Sequence, residues 1–267
     1  QENNPNLYTK KHKHKNHRQS NYTKNLKTLR PIVSLLKQQH ANMMTLNLGQ
    51  YIYQGGVDQQ HRPHGNGTMY RNDALRFMVY SGGWKFGLRD GYGVQYDNYG
   101  SVLSAGTFIN DVFVKGTHYY NSFDKKIIYD GDFENGLIVR GKMFFNHTLY
   151  YDGTYDQGAP NGTGTFYWDN GHILYKGDVK DFKRHGMGEL YSSWGYLSYI
   201  GEFNNDSKHG NGTSFFDDGK TTQYKGKWSR NEYHGNGTLY DVDGSIHKQG
   251  QFSYGMCISD VHVKNIL

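Results

Sequence analysis

With 267 residues, 30 Lys and Arg against 24 Asp and Glu, a net charge of +6 and 35% hydrophobic content, the chain has the length of one or two ordinary globular domains. No run approaches the ~20 apolar residues that a membrane helix needs, so no transmembrane segment is read. The single Cys257 excludes an internal disulfide and favours a reducing, intracellular compartment.

The charge is concentrated at the start. Residues 1 to 40 hold nine cations, Lys10, Lys11, Lys13, Lys15, Arg18, Lys24, Lys27, Arg30 and Lys37, against Glu2 alone, a balance of +8; the other 21 basic and 23 acidic residues sum to −2. With little to bury before Pro31, residues 1–30 cannot fold alone. The eight cations from Lys10 to Arg30 are therefore candidate contacts with an acidic protein surface, with anionic lipid, or with RNA, since Tyr8, Tyr22 and several histidines are interspersed among them. Residues 31–40 read as a short helix, with proline near its first turn and Ile32, Leu35 and Leu36 on one face. This helix either caps the first hairpin or docks on another subunit. The basic extension is placed at 1–50, and its start at Gln1 reads as a processed or truncated end.

From residue 51 to 252 the chain is periodic. Gly55, Gly82, Gly106, Gly131, Gly153, Gly177, Gly201, Gly226 and Gly250 follow one another at gaps of 27, 24, 25, 22, 24, 24, 25 and 24 residues. A period in this range marks a stacked array whose units cannot bury an apolar face alone. One unit reads Tyr175-Lys176-Gly177-Asp178-Val179, then His185-Gly186-Met187-Gly188-Glu189-Leu190-Tyr191; the frame returns as Tyr224-Lys225-Gly226-Lys227-Trp228 and His234-Gly235-Asn236-Gly237-Thr238-Leu239-Tyr240. In the first arm the aromatic, the glycine and the next apolar residue sit at i, i+2 and i+4, one face of an extended strand. The second arm alternates likewise. With turn signals such as Asp169-Asn170-Gly171, Asp218-Gly219 and Asp243-Gly244 between units, each repeat is a β-hairpin. Glycine weakens a strand, so Gly82, Gly131, Gly153, Gly177, Gly201 and Gly226 require a packing reason: a missing Cβ gives room for a neighbouring ring to lie across the sheet.

The pattern Tyr-x-Gly-x-(Trp/Phe) followed by Gly-x-Gly-x-x-Tyr resembles the MORN (membrane occupation and recognition nexus) repeat over residues 51–252. The resemblance implies an all-β, elongated, single-layered antiparallel sheet of about eight hairpins plus a terminal strand, of the kind that serves as scaffold or dimerisation module in cytoskeletal, ciliary and membrane-contact assemblies. Lys115-Gly116-Thr117-His118 and Arg140-Gly141-Lys142-Met143 are read as lacking the second glycine, and the units opening at Ser104 and Lys248 lack the leading aromatic. The third and fourth units are expected to be bent or specialised for a partner. Trp84, Phe133, Tyr155, Phe203 and Trp228 would line one face, either to receive partner proteins or to pack on each other.

Residues 253–267 form a short C-terminal cap. His64, His185, His209 and His234 precede the Gly-x-Gly strand, but one repeat apart they would sit roughly 10 Å from each other, too far to share a metal ion. The Gly-x-Gly pairs lack the Gly-x-x-x-x-Gly-Lys-Ser/Thr frame of a phosphate loop. No paired carboxylates, no base for Cys257 and no room for a catalytic domain outside the repeats are found, so no catalytic residue, cofactor, metal or small-molecule substrate is assigned. The expectation is a non-enzymatic scaffold subunit of a large assembly, with lipid tethering and RNA contact through the tail as alternatives. Asn-, Lys- and Tyr-rich usage hints at an AT-rich genome, as in many protists, and the setting expected is cilium or cytoskeleton, with a mitochondrial complex as the alternative.

Overall fold

The computed structural model describes residues 43–122 and 125–261. The basic tail and the helix expected at 31–40 lie outside these residues. The described chain is all-β with no helix, and every strand pairing is antiparallel. It divides into two compact units between Asp90 and Gly91. The first contains β1 (Met43–Asn47), β2 (Tyr51–Val57), β3 (Pro63–Arg71), β4 (Met78–Lys85) and the start of β5 (Leu88–Tyr96). The second continues with β6 (Val102–Ile109), β7 (Val112–Ser122), β8 (Lys125–Glu134), β9 (Leu137–Phe145), β10 (Thr148–Asp156), β11 (Ala159–Tyr167), β12 (Ile173–Lys180) and β13 (Lys183–Tyr191). It ends with β14 (Leu197–Asn204), β15 (Ser207–Phe215), β16 (Thr222–Ser229), β17 (Glu232–Tyr240), β18 (Ile246–Ser253) and β19 (Met256–Asp260). Strands β1 and β19 lie outside the 51–252 frame and add one strand at each end of the repeats.

Within each unit, strands pair in chain order and the glycines fall into one row. In the first unit Gly55 pairs with Gly67 and Gly67 with Gly82. In the second the row runs from Gly93 through Gly106, Gly116, Gly131, Gly141, Gly153, Gly164, Gly177, Gly188, Gly201, Gly212, Gly226 and Gly237 to Gly250. The reason is steric. A Cβ on Gly177 would stand 2.4 Å from the Met187 carbonyl oxygen and 2.5 Å from the Gly188 Cα, and one on Gly188 would fall 2.3 Å from the Tyr175 hydroxyl. The expected ring does lie across the row.

That ring is the leading tyrosine. Tyr53, Tyr80, Tyr151, Tyr175, Tyr199 and Tyr224 are fully buried, each two residues before a row glycine. Each hydroxyl donates to the carbonyl three residues on, from 2.7 Å for Tyr175 to Asp178 up to 3.2 Å for Tyr80 to Gly83. Tyr175 also donates to the His185 carbonyl at 3.1 Å, so the hydroxyl holds both arms of its hairpin where the ladder is interrupted. Replacing it (Tyr175→Phe) is expected to cost about 1–2 kcal/mol in denaturant unfolding, because two carbonyls lose a donor that water cannot replace.

The interruption is a bulge, and it explains the other glycine of each pair. Between Gly177–Gly188 and Val179–Arg184 the register shifts, with Gly186 at φ +52° beneath the Asp178 carboxylate, which accepts from the Met187 N–H at 3.0 Å. Glu202 does the same for the Asn211 N–H at 2.8 Å. In the third and fourth units the glycine present, Gly116 or Gly141, is the row glycine. What is missing is the first of the pair, not the second. Val114 and Val139 stand in its place without positive φ, and the bulge holds one residue instead of two, so glycine is no longer required.

The core is a ladder of rings meeting edge to face. Tyr175 meets Phe203 at 5.2 Å, Phe203 meets Tyr199 at 5.1 Å, Tyr199 meets Trp228 at 5.2 Å, Trp228 meets Tyr224 at 5.3 Å and Tyr224 meets Phe252 at 5.2 Å. Such pairs contribute ~0.5–1.5 kcal/mol beyond their buried area, which lets a one-layer sheet hold together with a thin core. The second residue after a hairpin turn covers the ladder: Ile138, Pro160, Arg184, Lys208 and Tyr233 face Phe133, Tyr155, Val179, Phe203 and Trp228 in register. Lys208 lies over the Tyr199 and Trp228 rings at 5.0 and 4.8 Å, and burial lowers its pKa, with nearby Arg184 adding to the effect. Arg184 is tied to Asp206 through its backbone N–H, Nε and Nη2 and lies over Phe203. Arg184→Ala is therefore expected to cost ~1–2 kcal/mol, against less than ~0.5 kcal/mol for Lys115→Ala, whose pair with Asp132 is exposed; thermal unfolding of the two variants measures the difference.

Candidate partner-binding surfaces

The structure places the five rings proposed as a partner face inside the protein. Trp84, Phe133, Tyr155, Phe203 and Trp228 keep 7% or less of their surface exposed. Trp84 and Trp228 also donate their indole N–H to the carbonyls of Gly67 and Gly212, each at 3.1 Å. Their surface is consumed by the tyrosine ladder, so they form the core and not a receiving face. Tail residues Lys10, Lys11, Lys13, Lys15, Arg18, Lys24, Lys27 and Arg30 lie outside the described residues.

Candidate chemistry is sparse. Among the described residues no group of three or more His, Cys, Asp and Glu is close enough to hold a metal ion. His64 and His185 each carry a buried Nδ1 without a hydrogen-bond partner, at the bulge where the backbone leaves the ladder. The loop carboxylates serve turns: Asp218 accepts from the Thr221 hydroxyl and from the Lys220 and Thr221 N–H groups, and Asp243 from the Ser245 hydroxyl and N–H, which lowers the pKa of both.

Among the described residues, large apolar side chains open to solvent stand on strands, as Tyr92, Tyr120 and Met187 do, at turns, and along a cleft. Tyr99, Trp194 and Tyr254 are at least 80% exposed, the first two at the tips of loops joining consecutive hairpins. These loops are normally closed by two backbone bonds, as in Ser192 N–H to Tyr196 and Gly195 N–H to Ser192. Between β9 and β10 the loop is replaced by the two-residue turn Asn146-His147. Here β8 and β9 stay in register to Ile127–Phe145, Tyr150 bulges out of β10, and a cleft of about 670 Å³ opens. Its walls include Ile127, Tyr129, Phe145, Leu149, Tyr150 and Phe182. Sequence reasoning did not find this cleft, although the shortest gap, the 22 residues from Gly131 to Gly153, is its trace in the sequence.

A family profile for the MORN repeat matches residues 80–101, 151–173, 199–221 and 224–246, each match opening on a buried tyrosine of the ladder. This is a MORN-repeat protein. The Tyr-x-Gly frame of the MORN repeat is thus the tyrosine laid over the glycine row, and the first glycine of its Gly-x-Gly pair marks the bulge. No curated protein matches the chain at a significant level. MORN repeats are generally protein- or lipid-interaction modules, and MORN-repeat proteins are typically non-enzymatic. No described helix is long and apolar enough to cross a membrane.

Proposed function

We propose that this chain is a non-enzymatic scaffold subunit that holds partner proteins within a large assembly, cytoskeletal or ciliary, with a mitochondrial complex as the second setting. One observation supports this most: the described chain spends its interior on its own ring ladder and leaves Tyr99, Trp194 and Tyr254 in solvent at turns. Large rings with a polar edge are the side chains that anchor protein interfaces. The lipid reading rests on the tail alone, since the loops beside Trp194 carry Asp169, Asp217, Asp218, Asp241 and Asp243, which anionic headgroups repel. RNA contact rests on the tail for the same reason.

The tail supplies the test. Deleting residues 1–30 is expected to leave the unfolding midpoint of the MORN array unchanged and to reduce its incorporation into the native assembly several-fold. The association of the intact chain should weaken as salt rises, because exposed charges are screened over ~8 Å at physiological ionic strength. Quantitative co-purification of the two forms at low and high salt measures both. Equal incorporation would show that the array, not the tail, is the anchor; co-purification of lipid or RNA without protein subunits would overturn the scaffold reading.

A further inference from the structure

The cleft beside the Asn146-His147 turn is lined by large apolar side chains, some of which also pack on the ladder, as Tyr129 does on Tyr155 and Tyr150 on Phe166. Tyr150 and Phe182 are 38% and 44% exposed. Phe182 is the more informative. It occupies the second position of a two-residue hairpin turn at φ +65°, where the corresponding turns of the second unit place Asp111, Gly136, Gly158, Asp206, Asn231 and Gly255. A bulky side chain is strained in this left-handed conformation, and strain of this kind is retained where the side chain does something the fold does not need. Nothing in the turn rewards it: the Phe182 N–H bond to the Pro160 carbonyl is a backbone contact available to any residue.

The polarity of the cleft narrows the occupant. Asp169 is the single carboxylate on its lining, no Lys, Arg or His lines it, and among the described residues no cation pairs with Asp169. A volume of about 670 Å³ lies within the roughly 300–1,000 Å³ of ligand sites. We propose that this cleft receives a basic amphipathic segment of a partner protein, with aliphatic anchors between the Tyr150 and Phe182 rings and a Lys or Arg on Asp169. An acidic segment would meet an unscreened carboxylate, and a purely apolar one would leave it unpaired. The inference deepens the scaffold reading and rests on it, by naming the kind of partner held at this point of the array.

The test uses the full chain and a fluorescein-labelled peptide with two leucines between lysines, beside its twin with glutamates in place of lysines. Fluorescence anisotropy should show saturable binding of the lysine peptide and at least tenfold weaker binding of the twin. Phe182→Gly should weaken the lysine peptide at least tenfold while leaving the unfolding midpoint the same or higher, since glycine relieves the turn; a residue with only a structural role would lower it. Asp169→Asn should weaken binding several-fold and flatten its salt dependence. Lack of saturable binding, equal binding by Phe182→Gly, or equal binding of the two peptides overturns the proposal. So does a Phe182→Gly chain that loses flotation with phosphatidylcholine vesicles instead of peptide binding. If the peptide fails while the chain still co-purifies with protein subunits, this inference falls and the scaffold reading stands.

Discussion

Gly188→Val is expected to destabilise the second unit by ~3 kcal/mol or more, the upper end of what overpacking costs. The new Cβ would fall 2.3 Å from the Tyr175 hydroxyl and 2.4–2.5 Å from its ring atoms, and that ring is itself held by Phe203 and by two backbone acceptors. It has no direction in which to yield. Gly177→Val should behave alike, because there the obstacles are the Met187 carbonyl and the Gly188 Cα of the facing strand. Two controls separate space from backbone freedom. Gly171 has no neighbour within 4 Å of its missing Cβ but sits at φ +85°, so Gly171→Ala should cost only ~1 kcal/mol. His185→Ala, which removes a ring with an unpartnered Nδ1, should cost less than either row substitution. Urea unfolding of the four variants gives the order; a row substitution that costs no more than Gly171→Ala would contradict the ladder as the source of stability.

The second large effect is alkaline unfolding. Burial pushes the Tyr53, Tyr151 and Tyr224 phenols up to about 12 and those of Tyr175, Tyr199 and Tyr155 further still, with the Asp178 and Glu202 carboxylates adding to the shift of Tyr175 and Tyr199. The folded values are raised above the unfolded value near 10, so the folded state keeps protons that the unfolded state releases. Their contribution is complete below pH ~10 and is lost as pH rises from there toward the folded values. Each such tyrosine lowers stability by ~1.4 kcal/mol per pH unit once its unfolded form has ionised, so the five in the second unit together lose ~7 kcal/mol per unit, comparable to a whole domain's stability. Tyrosinate absorbance at 295 nm should therefore rise in two phases, the second, from the buried rings, together with the loss of far-UV circular dichroism within about one pH unit above 10.5. Early titration of these phenols with the sheet intact would show that the rings are open to water.

Much of this was legible in the sequence because it is written in the period. Tyr175, Gly177 and Val179 at i, i+2 and i+4 share a face in any strand, and the need for space over Gly177 follows from glycine's cost there. What was not legible depends on pairing. That Gly116 and Gly141 are row glycines, and that Val114 and Val139 replace bulge glycines, appears only when strands are set in register. Trp84, Phe133, Tyr155, Phe203 and Trp228 were readable as one face, but not whether that face receives a partner or packs on itself, because burial depends on the covering residues after each turn and on the tyrosines of neighbouring hairpins. Asp181-Phe182 carried no turn signal, since phenylalanine is a poor candidate for positive φ; the departure from the rule made it informative afterwards. The first and last strands were missed for lack of the repeat's own residues: Met43–Asn47 has no glycine, and Met256–Asp260 sets Asp260 opposite Gly250.

The central proposal, that this array holds partner proteins, is tested most directly by affinity purification of the chain at native expression level, followed by quantitative mass spectrometry with nuclease and mild-detergent washes. The account predicts a fixed set of protein subunits in near-stoichiometric amounts that survives both washes. Recovery of the chain alone, or of a set that disappears with nuclease or detergent, would contradict it.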